Sequence, residues 1–343
     1  MLSIQGRSHR RLSKFVDWIK PSPDTRETIT KQAGEIRDAI KHQAEDDDLS
    51  VIATPASGSF AKHTGLRRHI RGDTEIEGQD VDLPFVVKPA TTEGERIKDL
   101  LTRFERYAKA SYPSTTRRVT GSSVQLDFTA SKLTYDLVPM LTSNRPDYQI
   151  ILKKNGTRRL TSVAKHNEFV WKRTAHSDGL PGRVKFNECV RLIKWWRDVR
   201  ISGGGSIKEV RTILLELLCA HAYDKLGVQP TYTETLFLWF NFLANVTATR
   251  VRVAFDDYKN FGPLFESVEG NQYWHVIDPV NVNNNVVHSS WRNIELSEFS
   301  RWFETTRDSL NRLVAQEAGG ADGEVDNILV ELFGSAILTH GTL

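Results

Sequence analysis

Asp80 and Asp82 open the run "DVDLPFVV", in which every other side chain is apolar. Side chains alternate faces along a strand, so the two carboxylates point the same way, with Cα atoms roughly 6.5–7 Å apart. A bare carboxylate beside an apolar core is costly unless positive charge sits against it. Asp136, in "KLTYDLVPML", repeats the pattern, because Leu133, Tyr135 and Leu137 fall on the other face. Three carboxylates converging from neighbouring strands repel one another unless cations neutralise them. Their oxygens suit Mg²⁺, which also keeps waters and takes substrate phosphates as ligands. Two such ions about 3.5–4 Å apart form the clamp used for in-line phosphoryl and nucleotidyl displacement.

A D-x-D pair by itself is more often a solvated strand edge than a metal site. Gly58–Ser59, upstream in "GSFAKHTGL", shifts that balance. Glycine lets the backbone approach a phosphate, and a short helix starting near Phe60 offers free N–H groups and a positive dipole end. Ser59 adds a hydroxyl donor. An anion cradle just ahead of a carboxylate pair is a coherent site for a Mg²⁺–nucleotide. "DTE" (Asp73, Thr74, Glu75) is a second acid-x-acid pair, nearer to Gly58–Ser59. Its neighbours Arg71, Gly72 and Gly78 have a loop composition, whereas an apolar run follows Asp82, which favours Asp80 and Asp82.

Elements must hold these residues in place. Leu12, Phe15, Val16 and Ile19 mark one face of a short helix broken by Pro21 and Pro23. A second helix starts after Ser22 with Pro23 in its first turn, carries the stripe Ile29, Ala33, Ile36 and Ile40, and ends in the acidic run 45–48. "SVIAT" and "DVDLPFVV" predict strands, and "GERIKDLLTRFERYAKA" a helix. "SVQLDFTA" and "KLTYDLVPML" predict a hairpin turning at Ser131–Lys132. The mixture is a small α/β sheet domain. "TSNRPDYQIILKKNGTRR" reads as a polar hairpin joining two lobes.

From about residue 165 helices dominate. "FNECVRLIKWWRDVR" carries Phe186, Val190, Ile193 and Trp196 on one face. Trp195 and Trp196 face about 100° apart, so core packing is expected for at least one. "EVRTILLELLCAHAYDKLG" is apolar nearly all round and reads as the buried central helix, stopped at Gly227. "TETLFLWFNFLANV" and "LSEFSRWFETTRDSLNRLV" add two more helices, and "GGADGE" (319–324) reads as a flexible loop. A cleft between an α/β lobe and a helical lobe is the default ligand site.

The 343 residues, 39% hydrophobic and 26% charged, suffice for one large or two medium domains with a substantial core. A formal net charge of +3 is too small to argue for nucleic-acid binding. Cys189 and Cys219 lie in apolar helical patterns and read as reduced core residues, which argues against a disulfide framework and a Cys-based zinc site. The histidines show no paired ligand spacing. No apolar run approaches the roughly 18 residues of a membrane span, and the N-terminus lacks a signal-peptide pattern. The cytoplasm is the simplest compartment.

Gly58, Ser59, Asp80, Asp82 and Asp136 stand in the order of the signature of the DNA polymerase β-type nucleotidyltransferase superfamily, which the chain resembles. More narrowly, "GSFAKHTGLR", "YDLVPML", "VRLIKWWRD", "IDPVNVNNNVV" and "ELFGS" resemble the bacterial CD-NTases. These are the cGAS/DncV-like cyclic-oligonucleotide synthases of CBASS anti-phage defence. The resemblance implies an α+β, bilobed polymerase β-like core, a mixed sheet with flanking helices, plus a C-terminal helical lobe, with the active site in the cleft between. It divides the chain into N-terminal helices packing across both lobes (1–49), a nucleotidyltransferase core (50–164) and an oligoadenylate-synthase-like lobe (165–343).

By the same resemblance Asp80, Asp82 and Asp136 hold two Mg²⁺ ions (Mn²⁺ is an admissible substitute), and Asp136 also assists deprotonation of the attacking ribose hydroxyl. Gly58 and Ser59 hold the donor triphosphate. Lys194 and Thr212, the latter four residues before Glu216, contact phosphate. Asp278 and Asn285 line the cleft. Arg67, with Arg68 and Arg71, either contacts an acceptor nucleotide or is a solvated loop charge. The chain departs from the pattern in the long spacer from Ser59 to Asp80, and in Ile213, where some relatives carry an aromatic residue that stacks the donor base.

The implied reaction condenses ATP or other NTPs into a cyclic di- or trinucleotide and releases pyrophosphate. An activating protein and a product-sensing effector are the implied partners; no membrane and no long nucleic acid are required. Two other readings fit the same residues: nucleotidyl transfer to an RNA end, protein or small molecule, and a catalytically silent nucleotide-binding module.

Overall fold

Proline punctuates the start of the chain. Helix α1 (Arg7–Ile19) stops before Pro21, and α2 (Pro23–Glu45) begins after Ser22, whose Oγ accepts the Thr25 N–H at 3.1 Å. The computed structural model describes residues 6–67, 69–71, 74–76, 80–88, 97–153, 157–258 and 270–342; the side chains of 69–71, 74–76, 80, 97 and 98 lie outside that description. The elements that follow are β1 (Val51–Ala53), α3 (Gly58–Ala61), β2 (His69–Arg71), β3 (Thr74–Ile76), β4 (Asp80–Val87), α4 (Ile97–Ser111), β5 (Thr116–Val119), β6 (Val124–Phe128), β7 (Leu133–Thr142), β8 (Gln149–Leu152) and β9 (Arg158–Thr161). Then come α5 (Val163–Asp178), α6 (Phe186–Ser202), α7 (Thr212–Leu226), α8 (Tyr232–Thr249), β10 (Ile277–Asp278), β11 (Asn281–Asn285), α9 (Asn293–Ala318), α10 (Asp322–Phe333) and α11 (Ala336–His340).

The chain divides into a sheet unit, Pro21–Glu168, and a helical unit made of Met1–Lys20 with Phe169–Leu343. The two N-terminal helices therefore part company. α1 belongs to the helical unit and α2 to the sheet unit.

The sheet runs β1-β4-β7-β6-β5, with β8 pairing β7 beyond the end of β6 and β9 pairing β8. β4 and β7 are parallel and the other pairs antiparallel, so the sheet is mixed. Alternation sorts its faces. Val81, Leu83, Phe85 and Val87 of β4, with Tyr135 and Leu137 of β7 and Val124 and Leu126 of β6, are buried in one core with Ile29, Ile36 and Ile40 of α2 and Leu100, Leu101 and Phe104 of α4. The residues in between, Asp82 and Asp136 among them, fall on the opposite face. There Val138 and Met140 pack with Ile151 and Val163, which covers one end of β7 and leaves Asp136 at the other.

Three local expectations change. Residues 142–159 do not link two lobes: β8 and β9 extend the main sheet, and the burial of Ile151 and Leu152 draws them in. Residues 69–71 and 74–76 pair as two antiparallel strands where a loop was expected; strands of three residues are too short for a period to show. The β6–β7 turn is residues 129–132, with Phe128 opposite Leu133 and Lys132 at φ 56°, instead of a Ser–Lys two-residue turn.

In the helical unit, α6 buries the expected Phe186, Val190, Ile193 and Trp196, and also Cys189, Leu192, Lys194 and Trp195. Both tryptophans are core residues: Trp195 Nε1 donates to the Phe333 carbonyl at 2.8 Å and Trp196 Nε1 to Thr306 Oγ1 at 2.9 Å. α7 is buried from Leu214 to Ala220 and stops at Gly227, where φ is 64°. Cys189 and Cys219 are buried free thiols whose pKa values burial pushes up. The second half of "GGADGE" is helix, because α10 begins at Asp322, placing Asp322 and Glu324 at its electropositive first turn. No helix among the described residues is long and apolar enough to cross a membrane.

α1 is held by ion pairs. Arg7 Nη2 and Arg11 Nη2 donate to Asp326 Oδ2 of α10 at 2.6 and 2.7 Å, and Ser8 Oγ donates to Glu317 at 2.7 Å. The hydrogen bond from Arg7, followed by that from Arg11, holds the Asp326 carboxyl down to about 2. A depressed carboxylate contributes stability that is in full force above its unfolded value of 3.8 and is lost as pH falls through about 2. Asp326→Asn is therefore expected to lower stability at pH 7 and to flatten the wild-type decline between pH 4 and pH 2, as read from urea midpoints against pH.

Candidate active site

Asp82 and Asp136 lie directly opposite one another on parallel neighbouring strands. In-register residues of a parallel pair share a face, and strands sit about 4.8 Å apart, so the two carboxylates stand abreast. Asp80 opens the same strand, opposite Thr134; its side chain lies outside the described residues.

Gly58 brings the Gly-Ser turn against this pair. Its φ of +74° is left-handed, and a Cβ there would stand 2.5 Å from Asp82 Oδ2 and 3.3 Å from Cγ. Both the backbone conformation and the space require glycine. The half-buried Ser59 follows, and the turn closes with the Lys62 N–H donating to the Gly58 carbonyl at 3.2 Å and the Thr64 N–H to the Ser59 carbonyl at 2.9 Å. Upstream, Asn167 Nδ2 donates to the Ala56 carbonyl at 2.8 Å and fixes the approach. α3 is a single turn of four residues. So short a helix sums few peptide dipoles, and the anion-binding capacity expected of it reduces to individual N–H groups and the Ser59 hydroxyl.

Asp136 sits in a polar setting that inspection of its own strand does not reveal. Ser123 Oγ donates to its Oδ1 at 2.8 Å, Gln125 is its partner on β6, and Asp127 lies one place along, where it accepts from Thr134 Oγ1 at 3.0 Å. Burial raises the Asp136 pKa; the Ser123 hydrogen bond and the charge of Arg118 oppose that rise, and Asp127 adds to it. This oxygen-only set, two carboxylates abreast with one oriented by a hydroxyl, fits a hard dication.

The other expected residues belong to different surroundings. Lys194 is 1% exposed and its Nζ donates to Glu216 Oε1 at 2.7 Å, an ion pair between α6 and α7. Thr212 is exposed as the first residue of α7, and Arg67 is half-buried. Asp278 and Asn285, expected at a cleft, are both interior to the helical unit, at 4% and 2% exposure. Asn285 Nδ2 donates to the carbonyls of Asn271 and Trp274, and its Oδ1 accepts from Val276 and Val287. With those four bonds made, it pins backbone segments together. Asp278 likewise accepts from the Val280 N–H and from Asn284.

The Lys194–Glu216 pair carries a stability prediction. Removing one member of a buried pair strands the other charge and costs about 3–5 kcal/mol, whereas replacing both by apolar residues is often neutral. Glu216→Ala is expected to lose that much in urea unfolding, and Lys194→Met with Glu216→Leu to recover most of it.

Residues 7–173 match the family described as the Second Messenger Oligonucleotide or Dinucleotide Synthetase domain. The chain is 26% identical over 293 residues to a cyclic AMP-AMP-AMP synthase of Escherichia coli strain MS 115-1, covering 83% of this chain and 85% of that protein. Its fold resembles the structure of E. coli MS115-1 CdnC with ATP, with a TM-score of 0.77 at 21% identity over 96% of this chain and 98% of that one. It also resembles CdnC in the CdnC:HORMA-deltaN complex, with a TM-score of 0.74 at 22% identity over 96% and 97%. The mixed sheet with its flanking helices, the Gly-Ser turn seated on paired strand carboxylates, and these matches identify a polymerase β-like nucleotidyltransferase fold, and the chain belongs to the bacterial CD-NTases.

Proposed function

We propose that this protein condenses nucleoside triphosphates, ATP among them, into a small cyclic oligonucleotide of two or three units, with release of pyrophosphate, as a signal in anti-phage defence. The observation that carries the reading is the contact of Gly58 with Asp82 while Asp82 stands in register with Asp136. A phosphate-accommodating turn and a pair of carboxylates are thereby joined in one site. Asp80, Asp82 and Asp136 would hold Mg²⁺, which supplies charge neutralisation of the triphosphate and activation of the acceptor hydroxyl.

The chain's own part is positioning. Gly58, lacking a side chain, leaves the turn open to the donor triphosphate, and the Ser59 hydroxyl and nearby N–H groups donate to its oxygens. Asp136, oriented by Ser123, accepts the proton of the attacking ribose hydroxyl. Lys194 and Thr212 as phosphate contacts are proposed on family resemblance, and for Lys194 that requires exchanging Glu216 for phosphate.

The CdnC relative forms a complex with HORMA-deltaN. A HORMA-type protein is accordingly the first candidate for an activating partner, while the product-sensing effector and the cytoplasmic setting are proposed on resemblance alone. One experiment tests the reading: incubation with mixed labelled NTPs and Mg²⁺, with and without such a partner, followed by phosphatase. A phosphatase-resistant small product is expected. Label on an RNA end or protein would replace this reading by transfer to another acceptor, and no metal-dependent product under either condition would leave a silent binding module.

A further inference from the structure

Four adjacent strands each place one residue in a single row across the sheet face opposite α2 and α4. The row runs Asp82 of β4, Asp136 of β7, Gln125 of β6 and Arg118 of β5. Its first two members are the candidate catalytic carboxylates, with Gly58 at the Asp82 end. At the other end Arg118 Nη2 donates to Gln125 Oε1 at 2.6 Å. Arg118 is exposed, and among the described residues it makes no ion pair. Its neighbour Arg117 behaves as a structural arginine, with Nη1 donating to the carbonyls of Tyr112 and Thr115 at 2.7 Å each.

We propose that Arg118, oriented by Gln125, binds a 5′-phosphate of the acceptor nucleotide. The inference rests on the nucleotidyl-transfer reading above. With the donor triphosphate at Gly58 and the attacking hydroxyl at Asp136, the remainder of the acceptor extends toward β6 and β5. Two strand spacings separate Asp136 from Arg118, about 10 Å between Cα atoms. An arginine side chain reaches back over much of that distance, and the 5′-phosphates of a nucleotide lie a comparable span from its own ribose hydroxyls. A guanidinium with one N–H committed to a glutamine keeps further donors in a planar fork that matches phosphate oxygens. The charge of Arg118 is already felt at Asp136, which places it within the field of the same site.

The test separates acceptor from donor. Each of the four 2′,3′-dideoxynucleoside triphosphates, labelled, serves as a donor that offers no hydroxyl, and the acceptor is supplied as nucleoside, monophosphate or triphosphate. Wild type is expected to favour the phosphorylated acceptors through a lower apparent KM. Arg118→Ala is expected to shrink that preference by about tenfold to a hundredfold, Arg118→Lys to restore part of it, and Gln125→Leu to shrink it less. A preference unchanged in Arg118→Ala overturns the proposal, whether or not overall rates fall, since a base contact acts on all acceptors alike. A wild type indifferent to acceptor phosphates overturns it too. If wild type, with its activating partner, transfers to no acceptor at all, the nucleotidyl-transfer reading itself falls and the inference with it.

Discussion

Asp80→Asn together with Asp82→Asn is expected to abolish product formation, by about a thousandfold or more, without unfolding the chain. Removing a single preorganised electrostatic contact from a reacting centre already costs about 10²–10³ in rate, and this pair supplies charge that a neutral amide cannot. Asparagine keeps the size of the side chain, and Asp82 stands on the face away from the core of Val81, Leu83 and Phe85. Converging carboxylates repel one another, so the melting temperature of the double variant should equal or exceed that of wild type. Product formation is read with labelled NTPs and folding by thermal melting on the same preparation. Normal turnover in a folded double variant would remove both residues from the chemistry.

Gly58→Ala is the second large effect, and its signature is a divergence between stability and activity. Alanine in the left-handed region costs about 1–2 kcal/mol, and its Cβ would meet Asp82 Oδ2 at 2.5 Å. The chain relieves that collision most cheaply by displacing the carboxylate or the turn, each part of the candidate site. Stability is expected to fall by the strain alone and product formation by about a hundredfold, measured by urea unfolding and initial rates. Gly34→Ala is the control. That glycine lies within α2, where a Cβ meets nothing within 4 Å, and alanine there should stabilise by about 1 kcal/mol. Equal losses of activity in the two variants would mean that Gly58 is an ordinary turn residue.

The site was legible in part because it is built from local patterns. Asp82 and Asp136 each sit in a run whose alternate positions are apolar, and that alternation alone assigns them to the outer face. Ser22 and Pro23, at the start of α2, were legible for a similar reason, since a cap and a proline act within four residues. What could not be read was register. A two-residue turn at Ser131–Lys132 would pair Ala130 with Leu133 and bring Asp127 opposite Asp136. The observed turn pairs Phe128 with Leu133 and puts Gln125 there instead. A slip of two residues preserves the faces and changes every neighbour, so Ser123, Gln125 and Arg118 stayed hidden although the correct faces were known. The surroundings of Asn285 were illegible for a different reason. A polar run such as "NVNNN" resembles an exposed motif, and only the surrounding backbone shows that its hydrogen bonds are turned inward. Lys194 is similar, because a sequence does not disclose that Glu216, on another helix, takes its ammonium.

The division of the N-terminal helices has a consequence for synthesis. Arg11 bonds to Asp326, a residue translated 315 positions later. The segment 21–168 can therefore leave the ribosome and condense while α1 still waits, its arginines without their acidic partner. The first helix made is among the last to dock. Ribosomes stalled before α10 should carry a protease-resistant sheet unit and a protease-sensitive α1.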